Sequence, residues 1–277
     1  RSFYRVRLGW MDAEGLSKVS PDTTVVFVMN HRSNMDYVLV AFLAADRTAL
    51  SYAVGEWARI WPLQSLIKSM GAYFVRRNSN NPLYRRVLER YVHMATEAGV
   101  AQAVYPEGGL TRDGTLSPPR TGLLDYMLKS FDPKGRRDVV FVPVGINYDR
   151  VVEDRSQLLA AQKAPRKGAG FAARTTLKFF ARQFGLMLRG RWFRFGYACV
   201  NFGTPLSTRE WMGRRLDGDL RMLSREQRFE AVQALATDLM QSVAAVVPVL
   251  PVPLVARVML KAARPLTVLE LKAEWQE

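Results

Sequence analysis

Five short apolar runs punctuate the first half of the chain, and polar or glycine-rich sequence closes each of them: Thr24 to Asn30 (TVVFVMN), Leu50 to Val54, Ala72 to Val75, Gln102 to Tyr105 and Asp138 to Val144 (DVVFVPV). Runs this short, rich in β-branched and aromatic residues, predict buried strands. Between them, Met35 to Ala45, Ala58 to Met70 and Pro82 to Ala98 carry helical periodicity, the last with Tyr84, Val87, Leu88, Tyr91 and Ala95 on one side. Strand–helix alternation predicts an α/β domain around a largely parallel central sheet flanked by helices. A further strand is expected at Tyr197 to Phe202.

From about Arg225 the pattern is helical to the end. Leu239 to Ala256 form an uncharged stretch of 18 residues, interrupted by Pro248, Pro251 and Pro253. That length barely reaches across a hydrocarbon core and prolines break a continuous helix, so packed or interfacial helices are predicted in place of a membrane span. The expected organisation is an α/β domain over residues 1–224, with a basic insert at 155–209, followed by a helical C-terminal extension over 225–277.

Charge sharpens this outline. The chain has 277 residues and 40 Lys plus Arg against 25 Asp plus Glu, a net charge of +15. Between Arg155 and Arg209 lie 11 basic residues and no acidic one, while the remainder holds 29 basic and 25 acidic residues. Such a concentration predicts an anionic partner: nucleic acid, anionic lipid or a phosphorylated substrate. Within it, FAARTTLKFFARQFGLML sets Ala173, Leu177, Phe180, Phe184 and Leu188 on one helical face and Arg174, Lys178, Arg182 and Arg189 on another, with Trp192, Phe193 and Phe195 following. Two readings fit this pattern: a helix lying in an anionic membrane surface, and a helix docked on the core with its basic side solvated.

Composition removes several classes. A hydrophobic content of 48% with 23% charged residues is that of a globular protein. A single cysteine, Cys199, excludes an internal disulfide framework and a cysteine-rich zinc site; His31 and His93 are too few for a three-histidine metal site. No G-x-S-x-G elbow, P-loop, H-E-x-x-H or C-x-x-C occurs. Gly168 to Ala173 match a dinucleotide fingerprint only superficially, since they follow Pro-Arg-Lys and not a strand. The first residue is Arg1, so the sequence reads as part of a longer polypeptide, with a preceding signal or membrane segment left open.

The strand ends carry the candidate chemistry. His31 closes the first apolar run, and Asp36 stands five positions on, at the start of the next helical segment. Ligands of open α/β sheets bind at the carboxyl ends of strands. An imidazole there can take a proton from a hydroxyl while a carboxylate fixes its tautomer. On one continuous helix the two would point about 140° apart, so the pair works only across a strand-to-helix turn. His93, in mid-helix, reads as a structural histidine. Arg76 and Arg77 end the run GAYFVRR, and only one of two adjacent strand residues points easily into a site. Arginine suits phosphate, although a solvated basic strand end has the same appearance. In YPEGGLTRDG, Gly108 and Gly109 permit a sharp turn and close ligand approach, Glu107 is placed to brace the His31 loop, and Arg112 is a further phosphate candidate. Cys199, mid-strand among apolar neighbours, reads as a buried thiol.

Taken in order, HRSNMDY, GAYFVRR, YPEGGLTRDG and VPVGINYDRV resemble the four motifs of the glycerolipid acyltransferase superfamily, and within it those of bacterial glycerol-3-phosphate acyltransferases. The likeness extends from about Thr23 through the basic linker to YACVNFGTPLS and into the Pro- and Val-rich region beyond Ala244. The sequence departs from the pattern at Leu110, where arginine is usual, at Thr111, where serine follows, and at Arg120, where lysine is common.

The resemblance implies transfer of a fatty acyl group from acyl-CoA or acyl-carrier protein to the sn-1 hydroxyl of glycerol 3-phosphate, giving lysophosphatidate. It implies His31 as general base, Asp36 as its orienting partner, and direct attack on the thioester without metal or cofactor. Arg77, with Arg76 and Arg112, would hold the phosphate, and Glu107, Gly108, Gly109 and Ser33 would shape the site. A sibling enzyme acting on lysophosphatidate or dihydroxyacetone phosphate would keep His31 and Asp36 in the same roles. A basic nucleic-acid-binding protein is the reading from another class and predicts steeply salt-dependent binding. The Phe-rich face beside the basic stripe favours lipid chemistry, so the expected partner is an anionic membrane surface and not nucleic acid. The expected location is the cytoplasmic face of a bacterial inner membrane, peripheral or monotopic.

Overall fold

The computed structural model describes residues 4–44, 50–55, 63–69, 71–76, 79–111, 113–153, 181, 185–186, 188–189, 195–216, 218–262 and 264–274. β1 (Arg5–Met11) and α1 (Ala13–Ser17) precede β2 (Thr24–Met29), α2 (Met35–Ala44), β3 (Ser51–Gly55), α3 (Leu63–Ser69), β4 (Ala72–Val75), α4 (Pro82–Glu97), β5 (Gln102–Val104), α5 (Gly122–Leu128) and β6 (Val139–Tyr148). Then follow β7 (Tyr197–Phe202), β8 (Leu206–Ser207), α6 (Thr208–Arg215), α7 (Arg225–Val246), α8 (Pro251–Lys261) and α9 (Val268–Glu274).

The strands form one sheet in the order β1-β7-β6-β2-β5-β3-β4, with β8 paired to β6. The block from β6 to β4 is parallel, β7 and β8 run antiparallel to β6, and β1 runs parallel to β7. This is the largely parallel sheet that the alternation predicts. Every residue of β6 is buried, which explains its continuous apolar run at the centre of a sheet covered on both faces. β6 extends to Tyr148, beyond the expected end at Val144, because Gly145, Asn147 and Tyr148 pair with β7. β1 lies where the apolar pattern predicts no strand: it is an edge strand whose residues are mostly exposed.

Side chains alternate cleanly between the two faces. Val26, Val28, Val104, Val139 and Phe141 pack against α4, α5, α6 and α7. Met29, Ala103, Val142, Val144, Ile146 and Tyr148 pack with Tyr37, Leu39 and Val40 of α2. On α4 the buried positions are Val92 and Thr96, with Leu88 packed against the core. Val87 and Tyr91, expected on that face, are exposed. The apolar stripe of α4 is wider than the surface that receives it.

The helical region expected as an extension from residue 225 begins inside the core. α7 opens with a reciprocal capping box between Ser224 and Gln227. It buries Val232, Leu235, Ala236, Leu239 and Val243 at helical spacing. Trp211 of α6 donates its indole N–H to Asp238 at 2.8 Å. Gly145 lets the end of α7 close on β6, since a Cβ there would collide with the Val246 carbonyl. Beyond α7, α8 and α9 carry no buried residue. Among the described residues no single helix is long and apolar enough to cross a membrane; α7 and α8 pass that test only together, bent by 87°. The amphipathic basic segment 171–189 lies largely outside the described residues.

Candidate active site

β2 lies between β5, reached by a crossover past β3 and β4, and β6 on its other side. The chain therefore departs in opposite directions on either side of β2, which opens a crevice at its carboxyl end. Asn30 closes the strand there. Its side chain donates to the Ile146 carbonyl at 2.9 Å and accepts from the Ile146 N–H at 2.8 Å, which extends the β2–β6 pairing by one residue. His31 is the next residue, held at the lip of the sheet and 3% exposed.

The turn from His31 to Asp36 folds around one carboxylate oxygen. Asp36 Oδ2 accepts from the backbone N–H of Arg32 at 2.7 Å and of Ser33 at 3.0 Å, and lies 2.9 Å from His31 Nδ1. Its other oxygen accepts the Tyr148 hydroxyl at 2.6 Å. A fully buried carboxylate is thus surrounded by four donors at the start of α2, the end of the helix that favours negative charge. Burial, with the Asp36 charge beside it, pushes the Tyr148 phenol well above its ordinary range, so it remains a donor. The pair spans a strand-to-helix turn, as its five-residue spacing requires.

With a proton on Nδ1 facing the carboxylate, Nε2 of His31 becomes an acceptor. The Tyr37 hydroxyl is 3.3 Å from it. The imidazole is enclosed by aromatic rings, with centroids at 4.4 Å for Tyr105 and 5.2 Å for Tyr37. Burial raises the Tyr105 phenol well above its usual range.

The loop after β5 clamps the backbone of His31 from the other side. Glu107 accepts the His31 N–H at 2.8 Å through one oxygen and the Ser117 N–H at 2.9 Å through the other. Thr111 donates its N–H to the His31 carbonyl at 3.0 Å. Gly108, next to Glu107, adopts φ +67°, in the left-handed region, with Gly109 following in the same turn. Ser33 is fully buried and donates its hydroxyl to Glu153 at 2.7 Å, and Glu153 also accepts the Asn34 N–H at 3.0 Å.

His31, Asp36, Ser33, Glu107 and Gly108 therefore converge at one carboxyl edge. The phosphate candidates fare differently. Arg77 and Arg112 lie outside the described residues. Arg76 is exposed at the end of β4, the far edge strand, and its guanidinium sits 5.8 Å from the Tyr84 ring centroid while its N–H bonds the Tyr84 hydroxyl. Tyr37, Tyr148, Glu153 and Arg32 join the network without having been singled out from the sequence. Arg32 donates to the Gly114 carbonyl at 2.6 Å and to Asn147 at 3.1 Å, tying the turn to β6, and burial lowers its pKa. Tyr148 and Asn147 stand in the fourth motif-like segment, but nothing local marks a tyrosine 112 residues from Asp36 as its partner. His93 pairs with Glu97 at 3.2 Å on α4, as a structural histidine does. Burial raises the thiol of Cys199 in β7, which keeps it protonated and poorly nucleophilic.

Comparison with known proteins adds an independent result. A family described as Acyltransferase matches residues 11–147, and one described as Glycerol-3-phosphate acyltransferase C-terminal region matches residues 184–276. The glycerol-3-phosphate acyltransferase of Pseudomonas fluorescens (strain Pf0-1) is 34% identical over 202 residues, which is 72% of this chain and 23% of that protein. That of Pseudomonas putida (strain GB-1) is 35% identical over 196 residues, 70% of this chain and 22% of its own length. The chain thus spans under a quarter of these curated relatives. The crystal structure of the 1-acyl-sn-glycerophosphate acyltransferase from Thermotoga maritima aligns over 86% of this chain and 73% of its own, with a TM-score of 0.39 and 14% identity.

Proposed function

Since this chain belongs to the acyltransferase family, we propose that it transfers a fatty acyl group from acyl-CoA or acyl-carrier protein to the sn-1 hydroxyl of glycerol 3-phosphate, forming lysophosphatidate. The observation that carries this reading is the buried His31–Asp36 pair at 2.9 Å, oriented with Nε2 turned away from the carboxylate. The similarity to proteins named glycerol-3-phosphate acyltransferase supports the choice of acceptor.

Nε2 of His31 takes the proton of the acceptor hydroxyl as its oxygen attacks the thioester carbonyl. A C–O bond forms, and the tetrahedral intermediate collapses with cleavage of the C–S bond. The thiolate leaves with the proton returned from the imidazolium, so no charge is left on the enzyme. Asp36 stabilises the imidazolium while it exists, and its own position is held by Arg32 N–H, Ser33 N–H and Tyr148. Glu107 keeps the His31 peptide fixed, and Ser33, Gly108 and Gly109 shape the turns around it. Arg77, Arg76 and Arg112 are assigned to the phosphate. The step uses no acyl-enzyme and needs no group beyond these side chains and the donor.

The protein is also proposed to act at the cytoplasmic face of a bacterial inner membrane, on an anionic surface and without a nucleic-acid partner. α8 and α9 support this: neither carries a buried residue, Leu260 and Leu269 are 87% and 79% exposed, and α8 carries Arg257 and Lys261. An apolar surface edged with cations suits anionic lipid. α8 leaves from the catalytic edge, where Asn147 donates to the Pro248 carbonyl at 2.8 Å.

Purified protein supplied with labelled glycerol 3-phosphate and either donor is expected to form lysophosphatidate, and a folded His31→Ala variant to lose at least about 10³-fold in kcat. Preference for lysophosphatidate or dihydroxyacetone phosphate in acceptor competition would overturn the assignment of acceptor. Undiminished activity in the variant would overturn the base. Flotation with anionic but not zwitterionic vesicles is the outcome expected for the membrane reading.

A further inference from the structure

We propose that α4 is the docking surface for a protein-borne acyl donor, which lays an acidic amphipathic helix along it. The inference rests on the acyl-transfer reading above and names which of its two donors this surface fits. α4 is the crossover helix between β4 and β5, and both strands run parallel to β3 and β2. It therefore starts at the carboxyl edge that holds His31 and runs back along the sheet. Its outer surface carries Leu83, Val87, Tyr91 and Met94. Leu83 and Val87 are 73% and 60% exposed, and Tyr91 and Met94 about half. Steps of four, four and three residues draw these into one stripe about 16 Å long, the kind of seam by which helices pair. This is the surplus apolar width of α4 that the core leaves uncovered.

Cations edge the stripe. A groove of about 470 Å³ lies between α4 and α5, with Arg86, Val87, Arg90 and His93 on one wall and Tyr126 and Lys129 on the other. Glu89 is the carboxylate there, and it meets Lys129 at 2.7 Å and Arg86 at 3.6 Å. Arg90 is exposed and makes no hydrogen bond or ion pair among the described residues. Arg86, Arg90 and Lys129 against the one carboxylate leave the groove positive. The neighbouring charges are engaged elsewhere: Arg85 with Ser79 and Asn80, Asp125 with Arg228, and Glu97 with His93. A second copy of this chain would bring cations against cations, which opposes self-pairing. A helix lying in a bilayer surface buries a broad apolar face, whereas this stripe is one residue wide and borders a groove. Tyrosine, methionine and arginine are the residues enriched in protein interfaces. An acidic helix laid along α4 buries its apolar side on the stripe and sets its carboxylates over Arg86, Arg90 and Lys129. Of the two donors, only the carrier protein has a folded surface to offer.

The experiment measures acylation by wild type, Val87→Glu and Arg90→Glu on the full chain, with acyl-carrier protein or acyl-CoA as donor. Both positions are exposed, and unfolding midpoints verify the fold. The KM for acyl-carrier protein is expected to rise about 10- to 100-fold in each variant, the scale of losing an interface anchor. kcat and the KM for acyl-CoA stay within about threefold. Added salt raises the carrier KM of wild type more steeply than that of Arg90→Glu. An unchanged carrier KM, or equal rises for both donors, overturns the proposal. Use of acyl-CoA alone by wild type also overturns it and leaves the acyl-transfer reading standing. Lost flotation on anionic vesicles with an unchanged carrier KM assigns α4 to lipid and overturns it. If wild type is inactive with both donors, the acyl-transfer reading fails and calorimetric titration with acyl-carrier protein decides α4. Weaker binding in the variants then supports docking, and equal or absent binding overturns it.

Discussion

The Tyr37 hydroxyl sits 3.3 Å from Nε2 of His31, on the nitrogen that the acyl-transfer mechanism assigns to the acceptor's proton. The phenol occupies the position an incoming hydroxyl must take, and the length of the contact makes it a weak bond. On the proposed mechanism Tyr37 thus stands where the acceptor hydroxyl would bind, and its ring also packs on Tyr52 with centroids 5.3 Å apart.

Tyr37→Phe removes that competitor and keeps the ring. The variant is expected to retain kcat within about threefold and to show an equal or lower KM for the acceptor, because no bond is broken when the hydroxyl enters. Steady-state kinetics over a range of acceptor concentrations checks this. A fall of a hundredfold in kcat would show instead that the phenol takes part in the reaction.

The four donors on Asp36 make separable contributions. Asp36→Asn withdraws the charge that stabilises the imidazolium and sets an amide against those donors, so kcat is expected to drop by about 10³- to 10⁴-fold with the acceptor KM little changed. Tyr148→Phe leaves the carboxylate and removes one hydrogen bond. That variant is expected to lose about tenfold in kcat and about 1–3 kcal/mol in unfolding free energy. Kinetics paired with urea denaturation distinguishes the two, and an asparagine variant within tenfold of wild type would remove Asp36 from the mechanism.

Tyr52 carries a buried hydroxyl with no hydrogen-bond partner among the described residues, and burial raises its pKa from 10.0 to about 12. In the unfolded chain the phenol ionises near pH 10, whereas in the folded protein it stays neutral until about pH 12. The contribution of this group is therefore fully present below pH 10 and is lost as pH rises towards 12. Unfolding free energy is expected to decline over that window. Tyr52→Phe should decline less steeply, and at neutral pH it should be no more than about 1 kcal/mol less stable, since the hydroxyl it removes was unsatisfied. A larger loss at neutral pH, or an unaltered alkaline slope, contradicts this account.

Leu239 tests whether α7 belongs to the main core. It is fully buried on the face that meets the sheet. Leu239→Ala is expected to cost about 2–5 kcal/mol in a single cooperative transition. An unfolding curve that separates into two steps would assign α7 to an independent unit.

The sequence alone determined the elements whose signal is local. β2, β5 and β6 are legible because buried strands carry short, largely apolar runs, and β4 because a short apolar run closes in two arginines. α2 and α4 are legible because helical periodicity and the strand–helix alternation need only neighbouring residues. His31 and Asp36 are legible for the same reason: a histidine at a strand end and a carboxylate at the next helix start meet by local geometry. The face of α4 was not legible, because Val87 and Leu88 are equally apolar and only the neighbours α4 meets decide which is covered.

Tertiary structure alone decided which atoms the site residues reach. Tyr148 reaches Asp36, Glu107 reaches the His31 N–H, Glu153 reaches Ser33 and Arg120 folds over Gly108. Three of these pairs join residues from 76 to 120 positions apart, brought together by the order of strands in the sheet. Strand order depends on which apolar surfaces bury together across the whole chain, a sum over distant contacts that no local window contains. The polar residues at the strand ends then find partners according to that order, which is why the base, its carboxylate and Glu107 as a brace could be read from sequence while Tyr148 and Glu153 could not.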